Sequence, residues 1–297
     1  MSNQTKCPKC GSSSIARSQE EEGFICLNCK HHFPYGEAEE EYKYSLELVD
    51  YGFTEIPDWV FDRKYLKNLD LSAEPFDSFH APFVNRISSI SSGIGQLTNL
   101  EELDLSGNVV SEIPPEIGKC QNLRDLYLGR NFINEIPEEL CDLKNLEALN
   151  LRYNKIDTLP VQIGRLINLA WLVVSGNTLR SFPQEIGNLL NLETLKADEN
   201  EIEKLPPGIG NLKKLKNLYL RNNLIDSLPE EIGLLNNLKI LDLENNKLKS
   251  LPKSIVYLIN LEELRISGNP DLVSTPFDVA EKGLKAIKDW FDQAENK

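Results

Sequence analysis

The sequence predicts an α/β solenoid, in which short parallel strands and short return segments stack coil upon coil. An asparagine recurs every 23 residues from Asn108 to Asn269. Apolar residues precede each asparagine at one fixed spacing, as in Leu123, Leu126 and Leu128. A proline follows most of the asparagines six residues later. Because a single coil cannot bury its own leucines, repeats of this kind fold only as a stack.

Each part of the repeat has a structural role. Leu126 and Leu128 alternate with polar residues at a period of two, which predicts a short strand with its leucines pointing inward. The asparagine amide has two donors and an acceptor, so it can satisfy backbone groups where the chain turns off the strand. The proline cannot join a hydrogen-bonded ladder, and this predicts an irregular or short helical convex side.

Two irregular units precede the regular ones. Leu69 and Leu71 mark a strand whose asparagine, Asn85, comes after an 11-residue insertion within 72–84. One unit earlier, Leu46 and Leu48 mark a strand whose asparagine is replaced by tyrosine. We therefore expect ten coils and a concave parallel sheet of about ten strands.

The chain divides into four predicted segments. Residues 1–36 form a small metal-binding unit, 37–43 an acidic linker, 44–276 the solenoid and 277–297 a C-terminal capping helix. The helix prediction, over 278–294, comes from apolar residues at alternating spacings of three and four, namely Phe277, Ala280, Leu284, Ile287 and Phe291. The alternative is a helix that binds a partner, but solenoids need covered ends.

The first segment carries two CxxC pairs, whose cysteines are Cys7, Cys10, Cys26 and Cys29. Two such pairs separated by 15 residues are typical of a structural zinc site with four thiolate ligands. A redox dithiol needs only one pair, and four protein ligands leave no open position for catalysis. His31 and His32 follow the second pair, and we interpret them as surface residues because four thiolates complete the shell.

Residues 44–276 resemble intracellular leucine-rich repeat proteins of the 23-residue type, a group that includes plant Ras-group-related and bacterial repeat proteins. The segment 275–291 is similar to the end of the repeats in bacterial Roco-type proteins, although the sequence contains no GxxxxGK[ST] phosphate loop. Residues 1–36 resemble zinc ribbons and, in their Cys-Pro-Lys-Cys-Gly start, rubredoxin; the second pair departs from the rubredoxin pattern. These resemblances imply recognition of a protein partner by the concave sheet, with small GTPases and other signalling proteins as candidates.

The outward positions of the strands predict where that partner binds. The middle of the array is rich in side chains that dominate binding energy. We expect contacts from Tyr127, Asn150, Arg152, Trp171, Val173, Lys196, Tyr219, Arg221, Asp242 and Arg265. The alternative is that aromatic and β-branched residues only stabilise the strands. Acidic residues at both ends of the array favour a partner with basic rims; they are Glu102, Asp104, Asp125, Asp242, Glu244 and Glu263.

The insertion contributes aromatic residues at the edge of the concave face. A lip over the binding surface and simple packing on adjacent coils are both open for these side chains, which are Phe76, Phe79, His80 and Phe83. Insertions in repeat arrays often lie on the functional edge.

Composition excludes several classes of function. The chain has 46 acidic against 32 basic residues, a net charge of −14, which disfavours binding to nucleic acid. A polar start and the lack of an apolar run of about 18 residues predict a cytoplasmic protein without a membrane span. The repeats contain no histidine, and Cys120 and Cys141 are interpreted as small apolar fillers, so we predict no catalytic residues.

The sequence thus predicts a non-catalytic protein-interaction module with a structural zinc ion. The alternative is a zinc-ribbon factor that contacts the transcription or translation machinery through residues 1–36.

Overall fold

The computed structural model describes residues 44–73, 84–272, 279 and 283–295, together with the backbone of 15–18, 23–26 and 32–34. Residues 44–73 and 84–272 form a solenoid around one parallel sheet of ten strands, in the order of the chain. The strands are β4 (Ser45–Glu47), β5 (Asn68–Asp70), β6 (Glu102–Asp104), β7 (Asp125–Tyr127), β8 (Ala148–Asn150), β9 (Trp171–Val173), β10 (Thr194–Lys196), β11 (Asn217–Tyr219), β12 (Ile240–Asp242) and β13 (Glu263–Arg265). The predicted number of strands is confirmed.

The return segments are short 3-10 helices. Each of the seven from the third coil onwards is preceded by an extended proline; Pro160, for example, has φ −64° and ψ 148°. Proline fixes φ near this value, so it ends the extended segment and lets the helix begin. The eight helices are Ser92–Gln96, Pro115–Lys119, Glu138–Asp142, Val161–Arg165, Gln184–Asn188, Pro207–Asn211, Glu230–Leu234 and Lys253–Tyr257. The short helical convex side predicted from the prolines is confirmed.

The core is a continuous apolar column through all ten coils. The central residue of each strand is a leucine that pairs in register with the next, as Leu126 pairs with Leu149 and Leu149 with Leu172. Cys120 and Cys141 lie in this core without solvent contact, as predicted. Burial raises the pKa of the Cys120 thiol to about 11 and that of Cys141 to about 12, so both are protonated and unreactive at neutral pH.

The repeated asparagines form a buried ladder. Nδ2 of Asn154 donates to the carbonyl oxygens of Leu128 at 2.9 Å and Leu151 at 3.0 Å, and its Oδ1 accepts from the backbone nitrogen of Ile133 at 2.9 Å. Asn85, displaced by the insertion, occupies the same place in its coil and donates to the Leu48 carbonyl at 2.7 Å. The asparagines satisfy backbone groups of two successive coils, which confirms their predicted role.

The residue before each ladder asparagine from Asn108 onwards adopts a left-handed backbone conformation. Glycine or asparagine fills five of these eight positions, but Arg130, Tyr153 and Glu199 have φ of 57°, 53° and 56°. A non-glycine residue is uncommon in this region, and the ladder on the following residue holds it there.

The first coil returns through a short α-helix, and another helix covers the last coil. At the start, α1 (Asp58–Phe61) buries Val60 and Phe61. At the end, α2 (Leu284–Glu295) lies against the last 3-10 helix; Ile287 is buried and Phe291 packs on the core. The predicted capping contact is confirmed, but a continuous helix over 278–294 is wrong. Gly283 is not helical and has φ 86°, a conformation that glycine adopts without strain.

The amino-terminal segment contains a separate antiparallel sheet. Its strands are β1 (Ile15–Ser18), β2 (Gly23–Cys26) and β3 (His32–Pro34), with β2 in the centre. Ile15 pairs with Cys26, and Gly23 pairs with Pro34. None of the helices in the described part of the chain has the length and apolarity needed to cross a membrane.

Candidate interaction surface

The concave face of the sheet presents two columns of outward side chains, one on each side of the central leucines. One column runs through Glu102, Asp125, Ala148, Trp171 and Thr194, and the other through Asp104, Tyr127, Asn150, Val173 and Lys196. Neighbouring strands lie about 4.8 Å apart, so each side chain lies directly beside its counterparts in the coils before and after.

Trp171 is the most exposed apolar side chain on this face, with 57% of its surface accessible. Its neighbours in the column are Ala148 and Thr194, which are small and cannot cover an indole ring. Val173 lies on the same strand, half-buried, and pairs with Asn150 and Lys196. The centre of the sheet therefore presents an uncovered aromatic ring beside an aliphatic side chain.

Polar and cationic groups border this centre. On the amino-terminal side Tyr127 and Asn150 are half-buried. Asn150 Oδ1 accepts a hydrogen bond from the backbone nitrogen of Arg152 at 3.1 Å, and the side chain of Arg152 is exposed. On the other side the exposed Lys196 ammonium lies 5.2 Å from the ring centroid of Tyr219, a cation–π contact. The sheet thus carries these predicted residues on, or directly after, the strands from β7 to β11, with Trp171 on β9.

The carboxyl-terminal end of the face is a paired network. Arg265 Nη1 lies 3.1 Å from Asp242 Oδ2, and its Nε lies 2.7 Å from Glu263 Oε1. Arg221 Nη1 lies 3.6 Å from Glu244 Oε2. The carboxylates of Glu263 and Asp242 hold Arg265 in its charged form by raising its pKa.

This network corrects the expectation for Asp242. Asp242 is only 3% exposed and also accepts from the backbone nitrogen of Glu244 at 3.1 Å, so it is a structural partner of Arg265 and not a contact residue. The acidic residues expected to form a rim at this end are paired, since Arg221 and Arg265 offset two of the three negative charges of Asp242, Glu244 and Glu263.

The amino-terminal end is different. Glu47, Asp70 and Asp104 lie side by side on β4, β5 and β6, and Glu102 lies beside Asp125 on β6 and β7. We call these five residues the acidic patch. None of the outward positions of β4–β7 carries a basic residue. Sequence reasoning missed Glu47 and Asp70 because it began the columns at Glu102, although the strand register around Leu46 and Leu69 would have placed them.

The local electrostatics follow from this crowding. Burial and then the carboxylates of Asp125, Asp104 and Asp70 raise the pKa of Glu102. Burial, and next the carboxylate of Glu147, raise the pKa of Asp125. Burial also raises the pKa of Asp104, partly offset by its hydrogen bond from Ser106 and by the charge of Arg152.

Several predicted site residues lie outside the described side chains. Cys26 is the last residue of β2, described by its backbone alone. The other predicted zinc ligands and the insertion residues, which are Cys7, Cys10, Cys29, Phe76, Phe79, His80 and Phe83, lie outside the described residues. Within the described part of the chain, no three His, Cys, Asp or Glu side chains are arranged to hold a metal ion.

Known sequence families agree with this architecture. A leucine-rich repeat region profile matches residues 115–196 and 208–276, about half of the chain, and a single leucine-rich repeat matches 99–120. No curated protein sequence matches the chain.

Solved structures give the same result. A leucine-rich repeat protein of Leptospira interrogans is 38% identical, with a TM-score of 0.70 over 76% of this chain and 55% of its own. Internalin C2 of Listeria monocytogenes is 26% identical, with a TM-score of 0.55 over 66% of this chain and 78% of its own.

The ectodomain of the plant membrane receptor kinase GASSHO1/SCHENGEN3 from Arabidopsis thaliana, in complex with CASPARIAN STRIP INTEGRITY FACTOR 2, is 28% identical. Its TM-score is 0.52 over 72% of this chain and 31% of its own. This chain thus spans about half of the Leptospira structure and about a third of the plant one. The ten in-register coils, the asparagine ladder and these matches lead to one conclusion: the chain belongs to the leucine-rich repeat family.

Proposed function

We propose that this protein is a non-catalytic interaction module that binds a protein partner on its concave face. The observation that carries the proposal is the exposure of Trp171 at the centre of that face. An exposed tryptophan on a face that also carries arginine and lysine is the kind of residue on which binding energy concentrates. Leucine-rich repeat structures such as the plant receptor ectodomain, solved in complex with a protein factor, support a protein partner for this chain as well.

The predicted contact residues follow from the same geometry. Lys196 is exposed on β10, Arg152 and Arg221 are exposed just after β8 and β11, and Tyr127 and Tyr219 are half-buried on β7 and β11. Burying the exposed part of Trp171 contributes about 1–2 kcal/mol, and a ring of polar contacts excludes water from it. Asp242 is not part of this contact set.

The proposal is tested by affinity capture from a lysate of the source cell. The bait proteins are the wild type, Trp171→Ala and a matched control, Tyr257→Ala, which removes an aromatic side chain that is 65% exposed on the convex side. We expect a specific protein to be retained by the wild type and by Tyr257→Ala and lost with Trp171→Ala. Equal retention by all three would remove the concave face from the mechanism.

We also propose a cellular setting for this interaction. The resemblance of the repeats to plant Ras-group-related proteins supports a cytoplasmic role in signalling, with a small GTPase as one candidate partner. Mass spectrometry of the retained protein decides this point directly, since a partner without a nucleotide-binding domain would argue against the GTPase.

We further propose that Cys7, Cys10, Cys26 and Cys29 bind a structural zinc ion. The pairing of Ile15 with Cys26 places the start of β1 and the end of β2 at the same end of the hairpin. The chain that follows the first CxxC pair therefore enters the sheet where the chain leaves towards Cys29. Thiolates in this number suit zinc, which would fasten a segment too small to fold on its own core.

The zinc proposal predicts one equivalent of metal in the purified protein. Elemental analysis of the wild type, Cys26→Ser and the matched control Cys120→Ser measures it. We expect the metal to be lost in Cys26→Ser and kept in Cys120→Ser, because Cys120 lies in the solenoid core. Iron instead of zinc would favour the rubredoxin resemblance.

A further inference from the structure

The two ends of the concave face differ in a way that the family resemblance does not specify. The carboxyl-terminal end pairs its own charges, through Asp242, Glu263 and Arg265 and through Arg221 and Glu244. The acidic patch on β4–β7 contains five carboxylates and no outward basic residue. The carboxyl-terminal end thus pairs its charges directly, whereas the five carboxylates of the acidic patch form no ion pair among the described residues, although the charges of Arg124 and Arg152 act on Asp125 and Asp104.

The carboxylates of the patch have few partners of their own. Asp70 and Asp104 each accept a hydrogen bond from the backbone nitrogen two residues on, at 2.9 Å and 2.7 Å. Among the described residues, Glu47, Glu102 and Asp125 form no ion pair and accept no side-chain hydrogen bond. Like charges directly opposite on neighbouring strands are destabilising, so this arrangement costs folding energy that a cationic ligand would restore.

The patch also lies at a fixed distance from the exposed tryptophan. Glu102 on β6 is separated from Trp171 on β9 by three strand spacings, about 14 Å. An extended chain that crosses the strands covers this distance in about four residues. Lys196 lies beside Val173, on the far side of Trp171 from the patch, so the positive charges of the ligand are directed away from the centre and towards the patch.

We propose that the concave face binds an extended protein segment with two or more lysines or arginines over the acidic patch and a large apolar side chain, about four residues away, over Trp171 and Val173. This inference rests on the proposed function and gives the bound segment a direction across the strands, because its basic side chains lie at one end of the face only.

The test uses the full chain and a displayed library of random peptides. Peptides selected on the wild type are sequenced, and the consensus is synthesised with a fluorescent label for anisotropy titrations. The patch variant is Glu102→Gln with Asp125→Asn, and its matched control is Glu244→Gln with Glu263→Gln, which removes as many carboxylates from the paired end. Trp171→Ala is the third variant, and circular dichroism checks that each one is folded.

We expect the consensus to combine basic residues with a large apolar residue at the stated separation. Its dissociation constant should rise at least about tenfold with the patch variant, about 1.4 kcal/mol, and less than about twofold with the matched control. The wild-type affinity should fall steeply with salt, and that of the patch variant should not.

Other outcomes overturn the inference. A consensus without basic residues, or equal losses of affinity in the patch variant and its control, would show that the partner does not place its basic side chains over the acidic patch. If Trp171→Ala still abolishes binding in that case, the proposed function stands without this inference. If Trp171→Ala has no effect, the proposed function fails too. Calorimetric binding of CaCl2 that the patch variant abolishes would make the patch a metal site. A dimer in sedimentation that the patch variant disperses would make the occupant a second copy of the chain.

Discussion

The inside and the outside of each coil follow different rules. Inside, the same residues recur every 23 positions: Leu126, Leu149 and Leu172 pair in register, and the ladder asparagines repeat the same hydrogen bonds. Outside, the columns change from Glu102 through Ala148 to Trp171 within a few strands. The repeat fixes the fold, and the non-repeating columns carry the specificity, so stability and binding are encoded at neighbouring positions of the same strands.

We expect the largest loss of stability from a substitution in the asparagine ladder, which lies inside the coils. Asn154→Ala leaves the buried backbone nitrogen of Ile133 without a partner. It also removes one hydrogen bond from each of the carbonyl oxygens of Leu128 and Leu151, which still accept from the neighbouring ladder asparagines. The unsatisfied nitrogen costs about 1–3 kcal/mol and each lost hydrogen bond about 1 kcal/mol, so we expect a loss of about 4 kcal/mol in the free energy of unfolding, measured by chemical denaturation.

The matched control for that variant is Asn150→Ala, four residues earlier on the outward face. Its side chain accepts one partly exposed hydrogen bond, from Arg152, and its loss should cost less than about 1 kcal/mol. Comparable losses of unfolding free energy for the two variants would mean that the buried hydrogen bonds of the ladder contribute no more than an exposed one.

A second comparison uses adjacent coils. Leu149→Ala removes a core side chain that is almost fully buried and should cost about 3 kcal/mol, whereas Trp171→Ala should cost less than about 1 kcal/mol. Partner affinity should respond in the opposite order, with the larger loss in Trp171→Ala. If Leu149→Ala abolished binding in protein that circular dichroism shows to be folded, the separation between inside and outside would fail.

Ion pairs contribute less to stability than the core and the ladder, and their contribution depends on the burial of the carboxylate. Arg265→Ala removes the ion pair from Asp242, which stays buried, and we expect a loss of about 2 kcal/mol in unfolding free energy. Lys67→Ala breaks the exposed pair with Glu101 at 2.7 Å and should cost less than about 0.5 kcal/mol. Equal losses would show that burial of Asp242 does not matter.

The same inside–outside difference explains what could be predicted from the sequence. The coil number, the buried leucines, the ladder and the 3-10 return segments all depend on interior positions, which the 23-residue period reports directly. Asn85 could be assigned to its coil despite the insertion because its role in the ladder is invariant. Interior positions are constrained by packing against identical neighbours, so one repeat predicts the next.

The identities of the outward side chains follow neither the 23-residue repeat nor the packing of the core. The columns identified Trp171 correctly as a central residue, but the pairing of Asp242 with Arg265 depends on side-chain direction. A signal for that pair was nevertheless present, since the two residues are 23 apart and therefore adjacent in the sheet. The left-handed conformation of Arg130, Tyr153 and Glu199 had no signal in their own residue types; only glycines and asparagines at equivalent positions point to it.

The smallest predicted effect concerns the acidic patch and has the opposite sign. Burial and neighbouring carboxylates raise the pKa of Glu102 and of Asp125 above their usual values. The folded state therefore binds protons more tightly than the unfolded state, and these groups lower stability at any pH above their raised pKa. As the pH falls through the raised pKa values to the usual carboxyl value, that penalty disappears because both states become protonated.

Glu102→Gln with Asp125→Asn should accordingly stabilise the protein at neutral pH, by about 0.5 kcal/mol or about 1–2 °C in melting temperature. The gain should vanish at a pH of about 3.5, below the usual carboxyl values. Glu244→Gln with Glu263→Gln should instead lower the melting temperature at neutral pH, because it removes partners of Arg221 and Arg265. Thermal melts over this pH range measure both pairs. A gain of stability in the second pair, or none in the first, would mean that the two ends of the concave face do not differ in their electrostatics, and the direction proposed for the bound segment would lose its physical basis.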